Sequence, residues 1–269
     1  MTNIIKRNNV KKTGSGKETI IFGHGFGCDQ LVWKEVIEAF TKDYQVVTFD
    51  YVGCGQSDKS AYSLERYGTL HGYKQDLLEV CEALEEESFL YVGHSVSSMI
   101  GMLASNERPD LFKKMVMIGP SPHYLNEPDG YQGGFERSDI NELLDMMEVN
   151  YKEWAKYLAP VVMSNEDRPE LAANFEKLLC SNDPKIARQF AEVTFMSDVR
   201  ADLEKVTVPT LIMLTQDDAI APMEIGRYVH TQIPGSRLAV MEALGHNPHI
   251  SDAAETAAVI KDYLSGQGE

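Results

Sequence analysis

A serine acts as a nucleophile when its hydroxyl is held away from the chain and a neighbouring base takes its proton. The stretch Phe89-Leu90-Tyr91-Val92-Gly93-His94-Ser95-Val96-Ser97-Ser98-Met99-Ile100-Gly101 meets the first condition. An apolar, β-rich run enters a turn of small residues and continues directly into a helical pattern, which presents the middle serine at the edge of a sheet. Gly93 tolerates the close approach such a turn demands. The helix that begins after Ser95 offers free N–H groups and a positive dipole end, both suited to a developing oxyanion. Ser97 stands where a second glycine is commonest. Its hydroxymethyl group could crowd helix against strand, but serine is small enough for the turn to survive.

Histidine has the pKa to serve as the base, and on a strand-turn-helix serine site the expected chain order is Ser, then acid, then His. His246 lies after the last apolar run, in Ala243-Leu244-Gly245-His246-Asn247-Pro248-His249. His249 is its rival, and the Gly-His pair favours His246. The acid follows the preceding run in Leu214-Thr215-Gln216-Asp217-Asp218-Ala219-Ile220-Ala221-Pro222, where Asp218 is preferred to Asp217 as the group that orients the imidazole. An oxyanion hole needs two backbone donors. The N–H groups of Val96 and of Phe26, the latter in Gly23-His24-Gly25-Phe26-Gly27, are the candidates. His24 is expected beside the pocket as a buried hydrogen-bonding residue, not as a second base. The glycine spacing does not match G-x-G-x-x-G and no P-loop lysine follows, so no nucleotide cofactor is implied. His246 and His249 have no cysteine beside them, and no metal site is expected.

These residues need a scaffold. Apolar runs at residues 19–23, 45–49, 89–92, 115–118, 210–214 and 238–241 read as buried strands of a parallel sheet, with helical spacing between them. The alternation breaks between residues 121 and 205, where four helical stretches appear around 138–149, 151–163, 168–180 and 184–196. The expectation is one domain, 1–269, with a core of 1–120 and 206–269 and a helical lid inserted at about 121–205. Proline marks the insertion at Pro120, Pro122, Pro128 and Pro209. Its large side chains, among them Trp154, Tyr157, Phe175, Phe190 and Phe195, either pack the lid's own core or line a pocket beneath it. Phe135, Trp154, Tyr157, Phe190 and Phe195 are the pocket candidates.

A chain of 269 residues with 43% hydrophobic content can bury a full core. A formal charge of -16 argues against nucleic acid and anionic membrane surfaces as partners. The first residues lack a signal-peptide pattern, and no run approaches the roughly 18 apolar residues of a membrane span. Cys28, Cys54, Cys81 and Cys180 form no C-x-x-C pair and suit free thiols in a reducing compartment, so a cytoplasmic location is expected. Residues 265–269 read as a frayed end.

The segments Gly25-Phe26-Gly27-Cys28-Asp29-Gln30, Phe49-Asp50-Tyr51-Val52-Gly53, Gly93-His94-Ser95-Val96-Ser97, Ser121-Pro122, Tyr131-Gln132-Gly133-Gly134-Phe135-Glu136 and Phe195-Met196-Ser197-Asp198 closely resemble the α/β-hydrolase clade of the bacterial stress regulator RsbQ and the plant karrikin and strigolactone receptors. The plant members also carry Ser after Val at the turn, so Ser97 fits the clade. The resemblance implies an α/β-hydrolase fold, with a mostly parallel eight-stranded-type sheet and a four-helix lid over an apolar pocket. On the RsbQ side it further implies a PAS-domain phosphatase partner in the general stress sigma-factor pathway.

Three functions follow: a metabolic esterase or lactonase, a signalling hydrolase, and a binding module with a vestigial triad. An intact Ser95, His246 and Asp218 set argues against the third. Dehalogenase and epoxide hydrolase chemistry needs an aspartate at the turn, which Ser95 excludes. The favoured expectation is a signalling hydrolase that slowly cleaves small apolar esters or lactones.

Overall fold

All six apolar runs become strands in the computed structural model, which describes residues 3–266, and one further strand joins them. The seven are β1 (Lys11–Gly14), β2 (Glu18–Gly23), β3 (Tyr44–Thr48), β4 (Phe89–His94), β5 (Phe112–Ile118), β6 (Thr210–Leu214) and β7 (Arg237–Val240). Their order is β1-β3-β2-β4-β5-β6-β7, and only β1 runs antiparallel to its neighbour. Every residue of β4 and of β6 is buried, as helices on both faces require. β1 is exposed at all four positions and closes one edge.

The sheet therefore has seven strands among the described residues, not the eight of the expected type. The chain before β1 forms a single helical turn, Ile4–Arg7, whose Arg7 side chain is buried against Asp76 at 3.1 Å. Tyr67 and Arg66 also bond that carboxylate. With its start pinned there, the segment adds no strand.

Alternation along the strands splits the core between two faces. Ile21, Val47, Tyr91 and Met115 pack with the helices Leu70–Ala83 and Val96–Glu107. Ile20, Phe22, Val46, Val92 and Val116 face the other way, together with Ile260 from the helix Ala253–Ser265. Gly266 ends that helix at φ 72°, and the rest of the expected frayed end, residues 267–269, lies outside the described residues.

Between β5 and β6 stand four lid helices: Arg137–Val149, Tyr151–Met163, Pro169–Cys180 and Pro184–Met196. Each start has a local cause. Glu136 and Asp139 form a reciprocal capping box on the first, Asn150 caps the second, proline opens the third, and Asp183 caps the proline-led fourth. Their apolar faces make a third core, which includes Ile140, Leu144, Trp154, Leu158 and Phe175 and reaches down to Cys28, Tyr124 and Ile220 on the loops beside the sheet. No helix among the described residues is long and apolar enough to cross a membrane. The four cysteines are free, with only Cys180 exposed.

Candidate active site

The turn after β4 holds Ser95 at φ 54°, ψ −123°, a strained conformation for a residue with a side chain. Hydrogen bonds fix it there: Ser95 N–H donates to Ile118 O, and Ser98 N–H to Ser95 O, both at 2.8 Å. A Cβ on Gly93 would meet Ser97 O at 2.6 Å, and one on Gly23 would come within 3.1 Å of Ser97 Oγ. Because both positions are glycine, Ser97 fits without crowding. Its hydroxyl donates to His24 O and meets the Tyr51 hydroxyl at 3.1 Å, tying the helix to the neighbouring loop.

His246 stands over Ser95, with Nε2 2.8 Å from Ser95 Oγ and Nδ1 2.7 Å from Asp218 Oδ2. A carboxylate can only accept, so Nδ1–H donates to Asp218, which leaves Nε2 to accept the serine proton. The other Asp218 oxygen accepts from Ile220 N–H and Ala221 N–H at 2.8 Å each. The histidine loop is fastened from three sides. His246 N–H donates to Val162 O at 2.8 Å, His94 Nε2–H donates to His246 O at 2.7 Å, and Thr215 Oγ1 donates to Gly245 O at 2.8 Å. Gly119, at φ 55°, leaves room for the pair, since a Cβ there would lie 3.2 Å from His246 Cε1.

The rivals lie elsewhere. Asp217 is exposed and contributes its backbone carbonyl, which accepts from Gly245 N–H at 3.0 Å. His249 is buried between Trp33 and His94, with ring centroids at 4.4 and 4.3 Å. Burial, helped by His246 and His24, pushes its pKa down to about 3. Burial and the same histidine cluster hold His94 well below the usual imidazole range. Both are neutral near pH 7 and are weak bases.

Two backbone segments border Ser95. Val96 begins the helix after the turn, so its N–H has no acceptor within that helix. The Gly25-Phe26-Gly27 loop lies against the nucleophile, where a Cβ on Gly25 would sit 3.4 Å from Ser95 Cβ and 2.5 Å from His94 Nδ1. The Phe26 ring rises from this loop into the lid, with centroids 5.7 to 6.1 Å from those of Trp154, Phe190 and Phe195.

Above Ser95 and His246 is a cavity of about 30 Å³, enclosed mainly by Phe26, Leu158, Phe175, Leu179, Phe195 and Ile220. Of the pocket residues expected from sequence, Phe195 lines this cavity. Phe135, Trp154 and Tyr157 line a second cavity, of about 320 Å³, on the far side of Leu158, Phe195 and Ile220. Tyr157 is 62% exposed at its rim. Two expected residues line neither. Phe190 is drawn behind the wall by stacking on Tyr73 at 4.2 Å. His24 lies beneath the loop, donating from Nδ1–H to Gly25 O at 2.9 Å and accepting Tyr51 N–H at Nε2. Burial lowers its pKa against the opposing pull of Asp50. Phe175, one of the large lid residues read from sequence as core or pocket, lines this cavity, whereas sequence reasoning missed Leu158, Val162 and Leu179, which helical phase could have found, and it missed Tyr124 and Thr194.

A family model described as the alpha/beta hydrolase fold matches residues 18–253. The chain is 38% identical to the Karrikin insensitive 2 receptor IA of Petunia hybrida, over 95% of this chain and 93% of that protein. It is 36% identical to the Strigolactone esterase D14 of Arabidopsis thaliana, over 97% and 98%. The solved structure of a hydrolase from Oleispira antarctica superposes with a TM-score of 0.94 at 41% identity, covering 99% of this chain and 97% of that one.

Proposed function

Because the chain belongs to the α/β-hydrolase family, we propose that it is a serine esterase or lactonase with Ser95 as nucleophile, His246 as general base and acid, and Asp218 as the orienting carboxylate. The observation that carries this reading is the unbroken hydrogen-bond line from Asp218 through His246 to Ser95, ending in an enclosed cavity. Ser95 Oγ attacks the substrate carbonyl carbon while its proton passes to His246 Nε2. The oxyanion is held by the N–H groups of Val96 and Phe26. His246 then protonates the departing alcohol, leaving an acyl-Ser95 ester. Water repeats the sequence, giving up its proton to His246, and the acid leaves. The names of two relatives, one a strigolactone esterase and the other a hydrolase, support ester or lactone chemistry. The test is a short-chain aryl ester under stopped flow with mass spectrometry of the quenched enzyme. An initial burst and an acyl adduct on the Ser95 peptide are expected, and neither in Ser95→Ala. A folded Ser95→Ala protein with wild-type turnover would rule the reading out.

A second reading is favoured by the full-length similarity to a protein named as a receptor. In it the same slow hydrolysis reports a ligand, and the lid carries the signal to a partner. The partner would be a PAS-domain phosphatase of a bacterial energy-stress sigma-factor pathway in the cytoplasm, as for RsbQ. Glu136 and Asp139, two of the exposed lid charges available to such a partner, are engaged in the capping box, which weakens their claim. Labelling Ser95 with an apolar phosphonate should change hydrogen exchange in the lid and binding to a co-encoded phosphatase. No change in either leaves the plain esterase.

A further inference from the structure

The two N–H groups proposed to hold the oxyanion sit on separate pieces of chain. Val96 N–H opens the helix after β4, whereas Phe26 N–H lies in the loop after β2 and donates to no group among the described residues. Two donors serve one oxygen only if the pieces that carry them are held in register. His24 and Ser97 connect these pieces, and both are fully buried without lining the cavity over Ser95.

A peptide unit is planar, and in the trans form its C=O and N–H point in opposite directions. No peptide bond among the described residues is cis. Phe26 N–H therefore points away from Gly25 O, the other end of its own peptide, and whatever grips that oxygen sets the direction of the N–H. Gly25 O is gripped twice, by His24 Nδ1–H at 2.9 Å and by Cys28 N–H at 3.3 Å. The two edges of the His24 ring are not interchangeable. Tyr51 N–H, 3.2 Å from Nε2, can only donate, so Nε2 accepts and the ring proton stands on Nδ1.

The preceding peptide is held as well, because the Ser97 hydroxyl donates to His24 O. Ser97 is itself anchored through its carbonyl, which accepts the Tyr91 hydroxyl at 3.0 Å. Two successive peptide planes of the loop are thus fastened. One is tied to the residue beside Val96, and the other to a ring whose far edge rests on the chain after β3. Glycine, commonest at position 97 of such a turn, has no hydroxyl to make the first of these ties.

We propose that His24 and Ser97 are positioning residues of the oxyanion hole, the first aiming Phe26 N–H and the second setting its distance from Val96 N–H. This rests on the serine esterase reading above and goes beyond it by giving a role in the reaction to two residues that touch no reacting atom.

The test separates the two edges of the His24 ring. Asparagine places an amide N–H where Nδ1–H stands, which keeps the bond to Gly25 O and leaves Tyr51 N–H unpaired. Glutamine places a carbonyl oxygen where Nε2 stands, which keeps Tyr51 N–H paired and releases Gly25 O. Both substitutions remove the ring, so a purely structural role predicts equal turnover once rates are corrected for the folded fraction by denaturant unfolding. His24→Gln should lower kcat on 4-nitrophenyl acetate about 10²-fold with KM within about threefold, since a misaimed donor is felt mainly in the transition state. His24→Asn should recover most of that loss. Ser97→Ala should lower kcat about tenfold. Across all three variants, inhibition by a trifluoromethyl ketone, whose hemiketal on Ser95 puts a charged oxygen in the hole, should weaken in proportion to kcat.

A kcat equal within about threefold in His24→Gln and His24→Asn, or inhibition unchanged while kcat falls, overturns the inference and leaves the esterase intact. Wild-type turnover in Ser97→Ala overturns the yoke between the two donors. If the His24 variants do not fold, Ser97→Ala, which removes a single hydroxyl, decides the matter by the same pair of readouts. A wild-type protein that forms neither an acyl ester nor a hemiketal on Ser95 fails the esterase reading itself and takes the inference with it.

Discussion

The floor of the site and its ceiling are built from different interactions. On the floor, loops at the strand ends hold Ser95, Asp218 and His246 by hydrogen bonds that mostly involve the backbone: Ile118 O for the serine, two amides for the aspartate, Val162 O and Thr215 for the histidine loop. The ceiling is held by side-chain packing, with Leu158 and Val162 on one lid helix and Phe175 and Leu179 on the next. Backbone bonds do not depend on which side chains surround them, so the floor can keep its geometry while the ceiling is redrawn. Apart from Val162 O, which comes from a lid helix, bond-making is thereby separated from selection, and substitutions in the two regions should fail in different ways.

Floor substitutions should reduce turnover without unfolding the protein. Ser95→Ala gives the largest expected loss, on the order of 10⁶ in kcat by comparison with other serine hydrolases, read from burst amplitude and steady state. Asp218→Asn should cost about 10⁴, while Asp217→Asn, on an exposed side chain, stays within about twofold of wild type; the reverse would reassign the acid. Gly119→Ala should cost about 10² in kcat, because a methyl group 3.2 Å from His246 Cε1 moves the base.

Ceiling substitutions should act on stability and selection. Phe175→Ala removes a buried ring and should cost about 3–5 kcal/mol in denaturant unfolding. Among the molecules that remain folded, it should shift preference toward longer acyl chains. A fall in kcat on acetate as large as that of Asp218→Asn would break the separation of floor from ceiling.

The last prediction concerns acid. His249 and His94 stay neutral when folded, whereas in the unfolded chain each takes up a proton near pH 6.5. Below that pH the unfolded state binds more protons, so stability is complete above about pH 6.5 and declines as pH falls toward 3. The expected slope is about 1 kcal/mol per pH unit for each histidine. Thermal melts of His249→Gln should show a shallower decline than wild type over that window.

The floor was the more legible half from sequence. Ser95, His246 and Asp218 each sit in a short stretch where strand, turn and small residues follow one another, and local context alone suggests their direction. The sheet was nearly as clear because buried parallel strands are continuous apolar runs. β1 is the exception: Lys11-Lys12-Thr13-Gly14 is exposed throughout and carries neither an apolar run nor an alternation. The ceiling is less legible because helical phase, not aromatic size, decides which side chains reach the cavity. Trp154, Leu158 and Val162 share one stripe, and the small aliphatic members of that stripe reach the cavity while Tyr157 turns outward. Phe190 and His24 were large and suggestively placed, but tertiary partners not adjacent in sequence, Tyr73 and Tyr51, hold them off the cavity wall. Tyr124 lies between Pro122 and Pro128, a stretch with no periodicity to read.

The bond from His246 N–H to Val162 O makes the second lid helix a structural support for the catalytic base. Gly245 strengthens the attachment, since a Cβ there would lie 2.1 Å from Met163 O and the two backbones are in direct contact. The position of the imidazole is therefore tied to the position of that helix: a substitution that displaces the helix at Val162 also removes one of the fastenings of the histidine loop.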